Sequence, residues 1–163
     1  MRRGKITTVT AEIHRTEALP WTEAFSVGHQ ELDAEHRQMV GLINQICLAC
    51  GAKQHEREPE QEPAILLEEL ERLTTTHFDH EEAMLRDLSA ATPNPTLRET
   101  FAAAMIEHAA EHIKRLDDLR ELSRELHSDA VTAEARLCQD LVAWFIDHAV
   151  IYEAQVKTII RSV

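Results

Sequence analysis

Apolar residues recur at three- and four-residue intervals in four long stretches of the chain, which is typical of amphipathic helices. The first predicted helix, helix A, spans about residues 31–50 and ends near Gly51. Helix B begins near Pro63, helix C spans about residues 96–127, and helix D spans about residues 131–161. Four long helices with short joints predict an all-α fold, an antiparallel up-down four-helix bundle with an N-terminal arm.

The chain is predicted to hold one domain, because 163 residues is an ordinary length for a single hydrophobic core. Residues 1–18 are polar and have no clear period, so we interpret them as the N-terminal arm. The bundle is predicted over residues 19–163. The polar stretch at 51–63 is a loop within it, since neither side could bury a core alone.

The net charge of −12 argues against a nucleic-acid partner, because no basic stripe is present to contact phosphates. No apolar stretch has the length of a membrane span, so no membrane partner is expected either. The three cysteines are an odd, small number without a secretory signal, which predicts reduced thiols and a cytoplasmic location. Cys47 and Cys50 have a redox-type spacing, but two buried thiols at a helix end are the preferred interpretation.

Histidines and carboxylates lie on the inner faces of all four predicted helices. Residues four apart share a helix face, so His77 lies beside Glu81 and His108 beside His112. Burying these groups without partners would cost several kcal/mol each, a penalty that a metal ion removes. The predicted metal ligands are His36, His77, Glu81, His108, His112, His148 and Glu153.

This ligand set predicts two metal ions rather than one. It contains no thiolate, and seven groups exceed what one tetrahedral zinc ion needs. Two carboxylates can bridge two ions while five imidazoles fill terminal positions. Imidazole with carboxylate suits iron best, and manganese is the weaker alternative.

Several short segments, in their order and helical placement, are similar to those of a known family. The chain resembles the bacterial hemerythrins over about residues 19–160. The matching segments are Trp21 with Ser26-Val27-Gly28, Leu32-Asp33-Ala34-Glu35-His36, Ile43-Asn44, His77-Phe78-Asp79-His80-Glu81-Glu82, His108 to His112, and Trp144 to His148.

The resemblance implies a diiron centre that binds dioxygen reversibly, in an oxygen carrier, store or sensor. It implies that His108, His112 and His148 hold one iron, and that His36 and His77 hold the other. Glu81 would bridge the ions, Glu153 stands where the family has a bridging Asp, and an oxo or hydroxo group completes the bridges. The second iron then has an open position for dioxygen.

This chain departs from the family pattern at three places. Glu153 follows His148 by five residues, about 140° around an α-helix, so its bridging role is the least secure. The connection between Glu81 and His108 is longer than expected, which predicts longer helices B and C at one end of the bundle. Phe145 stands where Leu is common.

Trp144 and Phe145 are predicted to border the open iron position as the oxygen pocket. An apolar wall there keeps out water and protons, so Phe145→Ala is predicted to speed autoxidation.

Other functions of the same bundle remain open at this point. They are a diiron oxidase or peroxidase, and nitric oxide or iron handling. A metal-free scaffold fails to explain the buried histidines. Ferritin-like enzymes use more carboxylates and pair Glu with His three residues on, and no such ligand pair occurs here, so oxygen binding is favoured over an enzyme. His80 is interpreted as a partly exposed helix-flank residue rather than a support for the ligands. A protein partner is not indicated.

Overall fold

The computed structural model describes residues 18–54 and 59–162, and within these ranges the chain forms helices and no strand. The predicted arm therefore lies outside the described residues except for Ala18. The four-helix bundle is confirmed. Its first three helices are α1 (Gln30–Gln54), α2 (Pro63–Ala91) and α3 (Pro95–Ser128). The fourth consists of α4 (Ala130–Ile146), a π-helical segment at Asp147–Tyr152 and α5 (Glu153–Arg161), which follow one another without a break. A 3-10 turn at Glu23–Phe25 precedes α1.

Local sequence signals explain most of the helix starts. Pro63 and Pro95 stand in the first turns of α2 and α3, where a missing N–H leaves no helical bond unmade. The Asn94 side chain accepts hydrogen bonds from the first N–H groups of α3, and Asp129 caps α4 in the same way. The predicted stop at Gly51 is wrong, because this glycine continues in helical conformation as α1 runs to Gln54.

The buried apolar side chains form two clusters along the bundle. The larger cluster, the main core, joins α1, α2, α3 and α4 through residues that include Met39, Ile43, Leu70, Leu119 and Leu141. The smaller cluster, the end core, consists of Leu85, Phe101, Val156 and Ile159. The end core accounts for the long connection noted in the sequence, because the extra residues extend α2 and α3 with only a short turn between Ala91 and Pro95.

A disulfide joins Cys47 of α1 to Cys138 of α4 across 91 residues of sequence. The expectation of reduced thiols is therefore wrong for these two residues. The pairing is set by the antiparallel packing of α1 and α4, which brings the two Cα atoms to 4.9 Å and which no local sequence signal reveals. Cys50 is buried, as expected, and belongs to the main core. None of the described helices has the length and hydropathy that a membrane crossing requires.

Candidate metal centre

The structure brings all seven predicted ligands together in one buried layer between the main core and the end core. His36 lies on α1, His77 and Glu81 on α2, His108 and His112 on α3, His148 in the π segment and Glu153 at the start of α5. None of the seven is more than 4% exposed. Five imidazoles and two carboxylates thus share a small volume that is closed to solvent.

One half of the layer is organised around Glu81. Its Oε2 lies 2.8 Å from His108 Nε2 and 3.1 Å from His112 Nε2. Its other oxygen, Oε1, is buried and has no hydrogen-bond partner. These three residues form a group whose ligand atoms could hold one metal ion.

The other half is organised around Glu153. Its Oε1 lies 3.1 Å from His148 Nε2, 3.4 Å from His36 Nε2 and 3.6 Å from His77 Nε2. Neither carboxylate oxygen has a hydrogen bond of acceptable geometry, although both are buried. Ring nitrogens crowded around an unsatisfied carboxylate are what a cation would satisfy, and these four residues form a second group that could hold a metal ion.

The π segment explains how Glu153 comes to face the layer. The backbone N–H of Glu153 donates to the carbonyl of His148, a bond that spans five residues instead of the four of an α-helix. The wider turn accommodates one additional residue. His148 and Glu153 are therefore both fully buried, and the 140° offset calculated for an α-helix does not apply.

Hydrogen bonds on the far side of three rings orient their Nε2 atoms toward the layer. His36 Nδ1 donates to the carbonyl oxygen of Phe25 at 2.7 Å, and His77 Nδ1 to Glu35 Oε2 at 2.9 Å. His112 Nδ1 donates to Glu82 Oε1 at 2.8 Å. Such partners fix the tautomer and the ring direction of metal-ligating histidines.

Glu35 and Glu82 are supporting residues that were not predicted from the sequence. The sequence feature that could have identified them is their position next to a predicted ligand. Glu35 directly precedes His36, and Glu82 directly follows Glu81. A neighbour of an inward residue lies about 100° around the helix, on the flank of the same face. Which ring each carboxylate contacts depends on the packing of a second helix.

His80 is partly exposed, as predicted, and it also contacts Glu35, which supports the predicted ligand His77. Its side chain is 45% exposed, and its Nδ1 donates to Glu35 Oε1 at 2.5 Å. Glu35 therefore stands between the buried His77 and the partly exposed His80. His80 acts on the layer only through Glu35.

The charges of the layer favour a cation. Burial alone would raise the pKa of both carboxyl groups, but their contacts with the imidazoles outweigh it, so the pKa of Glu81 is lowered and that of Glu153 is lowered further. Burial lowers the pKa of His148 to about 4, despite its contact with Glu153. For His77 the opposing contacts with Glu153 and Glu35 outweigh burial and raise the pKa to about 9. The carboxylates are therefore ionised at neutral pH.

Trp144 and Phe145 lie against different rings of the layer. Phe145 is fully buried and meets the ring of His36 edge-on at 5.7 Å and that of Phe25 at 5.1 Å. Trp144 stacks on His148 at 6.3 Å, and its indole N–H donates to the carbonyl oxygen of Arg115. Of the two residues predicted to form the oxygen pocket, Phe145 is thus the one beside the histidine pair predicted to leave an open position.

The position of His148 differs from the implied division of the histidines. Its ring lies 5.6 Å from those of His36 and His77 and 6.1 Å from that of His112. The resemblance assigned it to the ion of His108 and His112, whereas its ligand atom groups with His36 and His77. The assignment of each histidine to one of two ions stays a prediction.

A family model described as the hemerythrin HHE cation binding domain covers residues 27–159, a range that includes all seven residues of the layer. No curated protein matches the chain.

Proposed function

Because the chain belongs to the hemerythrin family, whose HHE domain binds cations, we propose that its buried layer holds two iron ions joined by an oxo or hydroxo bridge and binds dioxygen reversibly. The protein would serve as an oxygen carrier, store or sensor. The proposal goes beyond cation binding in two respects, the identity of the metal and the ligand it takes up.

The unsatisfied carboxylate oxygens carry the proposal. Glu81 Oε1 and both oxygens of Glu153 are buried without hydrogen-bond partners, beside the ring nitrogens of five histidines. Ionised groups in such surroundings destabilise a fold unless a charge of opposite sign accompanies them. Two divalent or trivalent cations satisfy this requirement, and imidazole with carboxylate is a ligand mix that suits iron.

The ligand chemistry supports oxygen binding over oxygen activation. Two irons held by these residues would supply reversible electron exchange with dioxygen. The chain contributes five imidazoles and only two carboxylates, whereas the carboxylate-rich bundles place four glutamates around their metals.

Residues around the His36 side of the layer perform the supporting tasks. Phe145 and Phe25 meet edge-on beside His36 and exclude water from it. The Phe25 carbonyl holds the Nδ1 proton of His36, and Glu35 holds that of His77, so both rings keep Nε2 available to a metal.

Iron analysis combined with visible spectra through cycles of deoxygenation and air tests the proposal. We expect two irons per chain and a visible band that appears with dioxygen and disappears without it over repeated cycles. His77→Ala should lower the iron content, while His127→Ala should not, because His127 is exposed and donates to the Ser123 carbonyl far from the layer. One zinc ion per chain would contradict the proposal. Irreversible bleaching in air would favour an oxidase, a peroxidase or an iron-handling protein instead.

A further inference from the structure

Lys157 connects the π segment, which carries His148, to the 3-10 turn whose Phe25 carbonyl orients His36. It lies on α5, one helical turn after Glu153, and its side chain is half-buried. The ammonium Nζ donates to the carbonyl oxygen of Ala24 at 2.6 Å and to that of Ala149 at 3.0 Å. Ala24 lies in the 3-10 turn near the start of the described chain, and Ala149 lies in the π segment.

The bond to Ala149 supports the π segment. In an uninterrupted α-helix the Ala149 carbonyl would accept from the N–H of Glu153. Here that N–H donates to the carbonyls of His148 and Ile151 instead. A buried carbonyl that has lost its α-helical donor is costly, and the Lys157 ammonium provides a replacement donor.

The bond to Ala24 supports the orientation of His36. Ala24 is bonded to Phe25, whose carbonyl accepts the Nδ1 proton of His36. Any shift of the 3-10 turn therefore moves the acceptor that directs this ring. The same ammonium thus contacts the backbone that positions His36 and the backbone that positions Glu153.

We propose that Lys157 is a positioning residue that clamps the 3-10 turn at Glu23–Phe25 to the π segment and so holds His36 and Glu153 in register with each other. The inference rests on the proposed metal site, because it assigns a task to this residue within it. Its hydrogen bonds go to the two carbonyls rather than to a residue of the layer, and its positive charge also interacts with Glu153. A hydrogen bond from a charged donor to a carbonyl is stronger than one between neutral groups, so two of them form an effective clamp.

Three substitutions separate the ammonium from the rest of the side chain. Lys157→Met keeps the apolar stem and removes both bonds. Lys157→Arg keeps a cation with several donors and should restore them. Lys114→Met is the matched control, since Lys114 is 59% exposed on α3 and pairs only with Asp118 one turn away.

Amide hydrogen exchange of the metal-free proteins provides a test that needs no iron. We expect exchange at residues 147–153 and 23–26 to become at least about tenfold faster in Lys157→Met and to stay at the wild-type rate in Lys157→Arg and Lys114→Met. Equal exchange in Lys157→Met and wild type would overturn the proposal. If Lys157→Met does not fold, Lys157→Gln, which keeps one neutral donor, should show an intermediate increase, and a wild-type rate there would overturn it as well.

Iron release to a chelator tests the consequence for the loaded protein. Release should be about tenfold faster from Lys157→Met than from wild type, and unchanged in Lys114→Met. Unchanged release from Lys157→Met would overturn the claim that the clamp holds His36 and Glu153 in register. If neither wild type nor variants take up iron but the exchange rates differ as expected, the proposed function fails while the clamp stands.

Discussion

Glu153 is the ligand whose role depends most on local geometry. It is fully buried, both of its oxygens lack hydrogen-bond partners, and three imidazole nitrogens lie within 3.6 Å of Oε1. We expect Glu153→Gln to bind fewer than two irons per chain, because the amide keeps the volume but removes the charge that two cations require. Asp147→Asn is the control, since Asp147 lies outside the buried layer, and it should keep two. Full iron content in Glu153→Gln would show that this carboxylate is no ligand.

Phe145 separates the histidine pair from solvent through its contacts with Phe25 and His36. Truncating a buried Phe to Ala costs about 3–5 kcal/mol, so Phe145→Leu is the cleaner probe of the pocket. We expect faster oxidation of the iron-loaded protein to the ferric state in air, because a smaller side chain admits water. Phe101→Leu, in the end core, is the matched buried substitution and should leave the rate unchanged. An unchanged rate in Phe145→Leu as well would remove Phe145 from the oxygen pocket.

Six of the seven residues of the layer could be predicted from the sequence because ligand chemistry and helical spacing select them together. Glu153 is predicted from its carboxylate and its place in the family pattern, although its spacing from His148 does not fit an α-helix. The residues that support these ligands could not be predicted. Glu35, Glu82 and Lys157 are charged residues on polar helix flanks, and such residues usually face solvent. Their tasks come from contacts with other helices or, for Lys157, with a turn 133 residues away.

The π segment at Asp147–Tyr152 is the element that a sequence pattern could not reveal, because its residues suit an α-helix equally well. Proline and asparagine marked the helix starts, whereas the extra residue in the wide turn has no such marker. Only the need for both His148 and Glu153 to face inward pointed to an irregularity. This need was visible in the sequence as the five-residue spacing.

Removing one exposed residue from the π segment should convert it to an α-helix. Ile151 is 61% exposed, and its deletion places the histidine and the glutamate four residues apart, on one face. We expect this variant to keep two irons and to show slower amide exchange over the former π segment, since the Ala149 carbonyl regains a backbone donor. Deleting the exposed Ala110 between His108 and His112 is the control, and it should abolish iron binding by breaking an α-helical pair. Loss of iron in the Ile151 deletion would contradict this account.

The disulfide between Cys47 and Cys138 acts on the stability of the entire bundle. It closes a long loop between the first and fourth helices, which restricts the unfolded chain. We expect reduction to lower the free energy of unfolding by about 2–4 kcal/mol, measured by denaturant titration with and without a thiol reductant. Two additional thiols should react with a thiol reagent after reduction of the unfolded protein. The Cys47→Ser variant should be insensitive to reductant, and equal stability of wild type in both conditions would argue against the bond.

The division of the buried apolar residues into a main core and a small end core has a consequence for how the protein acquires its metals. With four buried side chains and five partly buried ones packed against them, the end core is much smaller than the main core and opposes separation of the helix tips near Ala91 and Pro95 less strongly. The helix ends at this tip should therefore separate transiently more often than the rest of the bundle opens. Glu81 and His108 lie about three to four helical turns below it. Partial openings that reach this depth would provide an entry route for iron while the main core and its disulfide keep the remaining helices assembled.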